Sequence, residues 1–201
     1  MKNMIVLLAA VTLLAVAPAM AGPDFEVVVH IETPPIAWGE SHLADKLQTE
    51  MSRSTSTRIY LSDQMAEEWP DYPTDRYHID SLVNWGLETG KRYLLAVYVQ
   101  SERIERRKTF SLPMIFHRYE TIGLAEGEFR FIDLSKRKQL IAESFKIKER
   151  GKRVFQGSTD DDINDPDIHL TAYQKIQFLA NLEEKLSRHL VKKIRRYVRG
   201  R

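Results

Sequence analysis

Tyr93-Leu94-Leu95-Ala96-Val97-Tyr98-Val99 is the segment from which the fold is read, because it is the most apolar run of the chain beyond its first residues. Near-continuous apolarity over this length marks a strand covered on both faces, and so a central one. On its amino-terminal side, Phe25-Glu26-Val27-Val28-Val29-His30-Ile31 is β-branched and alternates, with Phe25, Val27, Val29 and Ile31 on one face, which predicts another strand. A loop with Pro34 and Pro35 ends at Gly39. Leu43, Leu47 and Met51 then recur at helical spacing between Glu40 and about Ser52. Arg58-Ile59-Tyr60-Leu61 reads as a second short strand, followed by a loop containing Trp69-Pro70-Asp71-Tyr72-Pro73. A helix starting at Asp75 or His78 carries Ile79, Leu82, Val83 and Leu87 to a stop at Gly90.

Beyond the central strand, Phe110, Leu112, Met114 and Phe116 alternate, as do Phe129 and Phe131 before Ile132-Asp133-Leu134. Ser135-Lys136-Arg137-Lys138 is a polar turn, Gln139 to Lys148 a further strand, and a short strand is expected after Gly151. Short turns join only antiparallel neighbours, so this half predicts a meander. Ser158 to Pro166 is a polar, acidic loop. From Thr171 to Tyr197 the apolar positions Tyr173, Ile176, Leu179, Leu182, Leu186, Leu190, Ile194 and Tyr197 form one stripe of a long helix expected to pack along the sheet. The fold class is α/β (α+β): a single domain, order β-α-β-α-β-β-β-α, with a mixed sheet and helices packed on it.

Lys2, the apolar run Ile5 to Ala17 and the small residues of Ala19-Met20-Ala21 have the form of a signal peptide over residues 1–21. The run is shorter than a bilayer span requires. Cleavage would leave residues 22–201 as one exported domain. There is no cysteine, which excludes lipidation, disulfides and thiolate metal sites, and the expected location is the periplasm. Charge divides along the chain. Residues 22–170 carry 20 Lys and Arg against 26 Asp and Glu, whereas residues 171–201 carry 9 basic residues against 2 acidic. This basic end suits an anionic partner such as a phospholipid surface, an acidic protein or an envelope polymer. The alternative is a solvated helix end that complements its own dipole.

The order of elements behind a leader, together with Trp85-Gly86-Leu87 and Gly90-Lys91-Arg92-Tyr93-Leu94-Leu95-Ala96-Val97-Tyr98-Val99, resembles the α/β domain of the group comprising the TolB amino-terminal domain, CsgG and LpoB. Phe131-Ile132-Asp133-Leu134-Ser135-Lys136-Arg137-Lys138 is similar to that group's hairpin between strands, except that its usual glycine is missing. The resemblance implies a periplasmic interaction module, an envelope adaptor or assembly factor, rather than an enzyme. The lipidation cysteine of CsgG and LpoB is absent, as is room for the propeller of TolB, so pore formation and the specific role of TolB do not carry over.

No motif names a reaction. Six histidines lack H-E-x-x-H spacing, Ser41-His42 lies in no G-x-S-x-G turn, and Gly151-Lys152 has Lys146 where a phosphate loop needs glycine. No cofactor is expected. Asp160, Asp162 and Asn164 match the first three ligand places of a calcium loop, but Asp165 and Thr171 stand where glycine and glutamate belong, and Asp and Asn also simply favour turns. Trp38, Trp69 and Tyr72 lie on loops that leave the ends of the first two strands. If those strands are parallel, both loops emerge at one edge, where open α/β sheets bind ligands. Packing over helix ends is the competing account. Lys192, Lys193, Arg195 and Arg196 form the second candidate surface. Nucleic acid is not expected of an exported chain without a recognition fold. The reading is a non-catalytic envelope adaptor; the alternative is a small exported hydrolase whose site is assembled from scattered residues.

Overall fold

The computed structural model describes residues 25–36, 39–54, 57–65, 67–73, 78–112, 116–157 and 170–198. Alternation along β1 (Phe25–Glu32) sends Val27 and Val29 to one face and Val28 to the other, and all three are buried. Both faces of this strand are therefore covered, as its interior position in the sheet requires. The sheet is five-stranded with order β2-β1-β3-β4-β5. β2 (Thr57–Leu61) and β3 (Tyr93–Leu112) run parallel to β1, with Val28 opposite Tyr60 on one side and Leu94 on the other. β4 (Phe116–Asp133) and β5 (Lys138–Gly157) complete an antiparallel meander.

The chain steps from β1 outward to β2 and then back across to β3. Right-handed crossovers in opposite directions must put their helices on opposite faces. Accordingly, α1 (Leu43–Ser54) buries Leu43, Leu47 and Met51 against Val27, Val29 and Leu95, while α2 (Ile79–Glu88) packs Leu82, Val83 and Trp85 against Val28, Leu94 and Leu134. The closing helix α3 (Ala172–Val198) shares the α1 face. It opens with a reciprocal cap, in which the Thr171 amide donates to Gln174 Oε1 (2.9 Å) and the Gln174 amide to Thr171 Oγ1 (3.2 Å), satisfying two amides of the first turn. Leu182, Leu186, Leu190 and Ile194 are almost wholly buried, each contributing about 2 kcal/mol by removing apolar surface from water. Phe178 sets the helix's seat on the meander. Its ring lies over Gly123 and Gly151, where a Cβ at either position would come within 2.7 Å of it.

The expected mixed sheet and element order are present. Three details differ. Of the alternating residues, Phe110 and Leu112 belong to β3 whereas Phe116 opens β4, so the alternation is divided between two strands. The segment after Gly151 is not separate either, since β5 continues through it to Gly157. The stripe of α3 is buried only from Leu179 to Ile194, with Tyr173, Ile176 and Tyr197 exposed. Alternation and helical spacing specify the kind of each element; its limits depend on what lies opposite.

The β4–β5 turn shows what the missing glycine costs. Asp133 Oδ1 accepts the Ser135 hydroxyl (2.6 Å) and the Lys136 amide (3.1 Å), which coils the turn tightly enough that Arg137 takes φ 49°. This is the left-handed region, normally a glycine's.

Candidate functional site

The parallel pairing of β1 and β2 brings their carboxyl ends to one edge. The loop following β2 folds back over that edge. Tyr72 stacks on the His30 ring with centroids 3.3 Å apart and a 7° tilt, and its hydroxyl lies 2.7 Å from that of Tyr98. Trp85 from α2 meets Tyr72 edge-on (4.9 Å, 74°) and Trp69 edge-on (6.1 Å, 88°), and its indole N–H donates to the Pro70 carbonyl (2.7 Å). Trp69 and Tyr72 are thus half-buried, packed on the smaller of two cores. Burial first of all, then the bond to Tyr98, raises the Tyr72 pKa beyond any working pH. Trp38, the third aromatic expected at this edge, lies outside the described residues, as do residues 1–24 and Asp160, Asp162 and Asn164.

Beneath Tyr72 runs a polar line that no sequence motif announces. His30 Nδ1 is 2.8 Å from Ser62 Oγ, and His30 Nε2 is 3.4 Å from Glu32 Oε1. Burial is the main influence on this imidazole and holds its pKa below the ordinary value, so it is neutral at pH 7 and carries one donor and one acceptor nitrogen. Hydroxyl, imidazole and carboxylate in this order can serve a nucleophile, its base and an orienting acid. Two features oppose that use. The Ser62 amide is spent on the Val29 carbonyl (2.9 Å), and Tyr72 covers the imidazole. The cavity at this edge, about 130 Å³, lies on the other face between Val29, Ile31, Ser41, Leu61 and Asp63.

A second polar cluster joins α1, α3 and β3. Glu183 is fully buried. Its Oε1 accepts the Ser41 hydroxyl (2.7 Å) and the His42 amide (3.0 Å), while Oε2 accepts Lys46 Nζ (2.9 Å), so one helix supplies the cap for another. Lys46 also donates to the Ala180 carbonyl (2.6 Å). A bulge between Val99 and Ser101 turns Glu102 toward this cluster. Both Glu102 carboxyl oxygens are buried without a hydrogen-bond partner among the described residues. Burial and then the nearby Glu183 charge raise its pKa to about 7, with Lys46 opposing. A carboxyl that titrates near neutrality can shuttle a proton, but the groove of about 310 Å³ between α1 and α3 is lined by His42, Lys46, Glu50 and Ala180 and not by Glu102. The signal for this cluster was present in the sequence: Glu183 falls between Leu179 and Leu186 on an otherwise apolar stripe.

At the far end of α3 the basic residues divide into two sets. Lys185 pairs with Glu149, Arg188 with Glu184, and Lys193 with Glu143. Arg195 is half-buried. Lys192 and Arg196, one helical turn apart and so on one face, are exposed and make no ion pair among the described residues, and Tyr197 beside them is 45% exposed. Burial, then Lys193, lowers the His189 pKa, so this ring adds no charge at pH 7. Among the described residues no three His, Asp or Glu side chains converge as metal ligands, and no helix is long and apolar enough to cross a membrane.

No protein-family model matches the chain, and no curated protein matches it. Several similar solved structures are bacterial lipoproteins. They include a minor lipoprotein from Acinetobacter baumannii (10% identity over 85% of this chain and 92% of that one, TM-score 0.42) and rare lipoprotein B from Shewanella oneidensis (15% over 86% and 92%, TM-score 0.36). A hypothetical protein from Chlamydia trachomatis is similar over 88% of this chain and 99% of its own, at 9% identity and TM-score 0.48. Values in this range transfer neither family nor function, so the functional reading rests on the chain's own residues.

Proposed function

We propose that this chain is an exported, non-catalytic adaptor of the cell envelope that docks an anionic surface through the carboxyl-terminal end of α3. One observation carries the reading. Lys192 and Arg196 share an exposed face beside Tyr197 while Lys185, Arg188 and Lys193 are each neutralised by a carboxylate. Cations that only complement the helix dipole need no such selective exposure. The signal-peptide pattern of residues 1–21 supports export, and the resemblance in sequence to the TolB amino-terminal, CsgG and LpoB group supports an adaptor role in the periplasm. Trp69 and Tyr72, with Trp38, are assigned to a second, aromatic contact at the carboxyl edge.

The test is co-sedimentation with phosphatidylglycerol vesicles. The parent should bind, progressively less as salt screens the charges, and the double variant Lys192→Gln, Arg196→Gln should lose binding with its melting temperature unchanged. Equal binding by variant and parent at low salt would reduce the basic end to a solvated helix terminus. A second reading, a small exported hydrolase, draws on the Ser62–His30–Glu32 line. Ester hydrolysis that Ser62→Ala abolishes would replace the adaptor reading with this one.

A further inference from the structure

The two edges of the sheet are unlike. β2, at one edge, has 5 residues, whereas β5, at the other, has 20 and among the described residues pairs only with β4. A long edge strand presents a row of outward N–H and C=O groups that can accept another strand. What such an edge accepts is decided by its side chains.

On the helix face of β5, Glu143 and Glu149 are neutralised by Lys193 and Lys185 of α3. On the opposite face Lys146 is held by Glu126, itself bonded to Arg103 (3.3 Å). Lys148 and Arg150, next along that face, are exposed and lack an ion pair among the described residues; they flank Leu124 and Ile122 of β4. The strand continues in sequence as Gly151-Lys152-Arg153. With its acids cancelled from within, the outer half of β5 is a basic edge.

We propose that β5 is a docking edge for an extended acidic segment of a partner protein, which adds to the sheet as a sixth strand with carboxylates opposite Lys148 and Arg150. Main-chain hydrogen bonds supply affinity in this mode, and facing side chains supply selectivity. A second copy of the chain is the disfavoured occupant. An antiparallel pair about Lys148 would set Lys146 of one copy against Arg150 of the other, and like charges directly opposite repel. This inference stands apart from the reading of the α3 end, which uses different residues.

Hydrogen exchange tests it, using the full exported chain and short synthetic peptides of alternating glutamate and valine or of alternating threonine and valine. The acidic peptide should slow amide exchange along residues 138–157. The variant Lys148→Glu, Arg150→Glu should weaken it at least about tenfold, while Lys192→Gln, Arg196→Gln should bind it like the parent. Four results would overturn the proposal: no protection of β5, protection confined to the end of α3, equal protection by the neutral peptide, or self-association of the free chain through β5.

Discussion

Replacing Glu102 with glutamine should raise stability at alkaline pH and flatten its pH dependence. The Glu102 carboxyl sits with both oxygens buried and unbonded among the described residues, facing Glu183 from α3 and Lys46 from α1. Its pKa moves from the ordinary 4.5 to about 7. A carboxyl with a raised folded pKa holds its proton more tightly in the native state, so stability is greatest below the unfolded pKa and is lost as pH rises through that window. Above pH 7 the native state must carry a buried charge beside Glu183. At about 1.4 kcal/mol per unit the shift converts to about 3 kcal/mol, and solvent reaching this partly exposed residue cuts the effect to about 1.5 kcal/mol. Glutamine keeps the shape and removes the charge. Urea unfolding of parent and variant across this range should therefore show the parent losing stability relative to the variant as pH rises, with the gap closing at the acid end. Parallel curves for the two proteins would refute the assignment of a buried, proton-holding carboxyl.

Three other substitutions probe the fold and the carboxyl edge. Leu186→Ala, at a position with no exposed surface, should cost about 2–5 kcal/mol in chemical unfolding, the range for a buried leucine; a loss below about 1 kcal/mol would show that α3 is not seated as described. Arg137→Gly should stabilise the chain by up to about 1 kcal/mol, since glycine takes φ 49° without the left-handed penalty yet adds entropy to the unfolded state; a lowered melting temperature would contradict this. Tyr72→Ala should cost about 2 kcal/mol, roughly half the penalty of a fully buried aromatic, because it removes the stack on His30 and the hydroxyl contact with Tyr98. An unchanged melting temperature would contradict the packing of this ring on His30 and Trp85.

Much of this protein is local, and local features are legible in a sequence. Val27 and Val29 alternate with Val28, Leu43, Leu47 and Met51 recur by helical turns, and the apolar run Tyr93–Val99 belongs to a strand with both faces covered; each follows from backbone geometry and the tendency of apolar surface to leave water. Thus the mixed α/β class, the element order and the apolar face of α3 could be read without coordinates. The absent glycine was legible too, although only the turn shows that Arg137 bears the strain.

Contacts between distant segments were not legible. Ser62 meets His30 only because β1 and β2 pair in one register, and Glu102 faces Glu183 only because a bulge reverses the alternation of β3. Likewise Lys185 and Lys193 are ion-paired with carboxylates of β5 while Lys192 and Arg196 stay exposed, a division that depends on which side of α3 meets the sheet. Sequence spacing determines which residues share a face of their own element. What that face touches, and therefore whether a charge is cancelled, buried or left to bind, depends on pairings that cost chain entropy to close and are stabilised only by the whole assembled core.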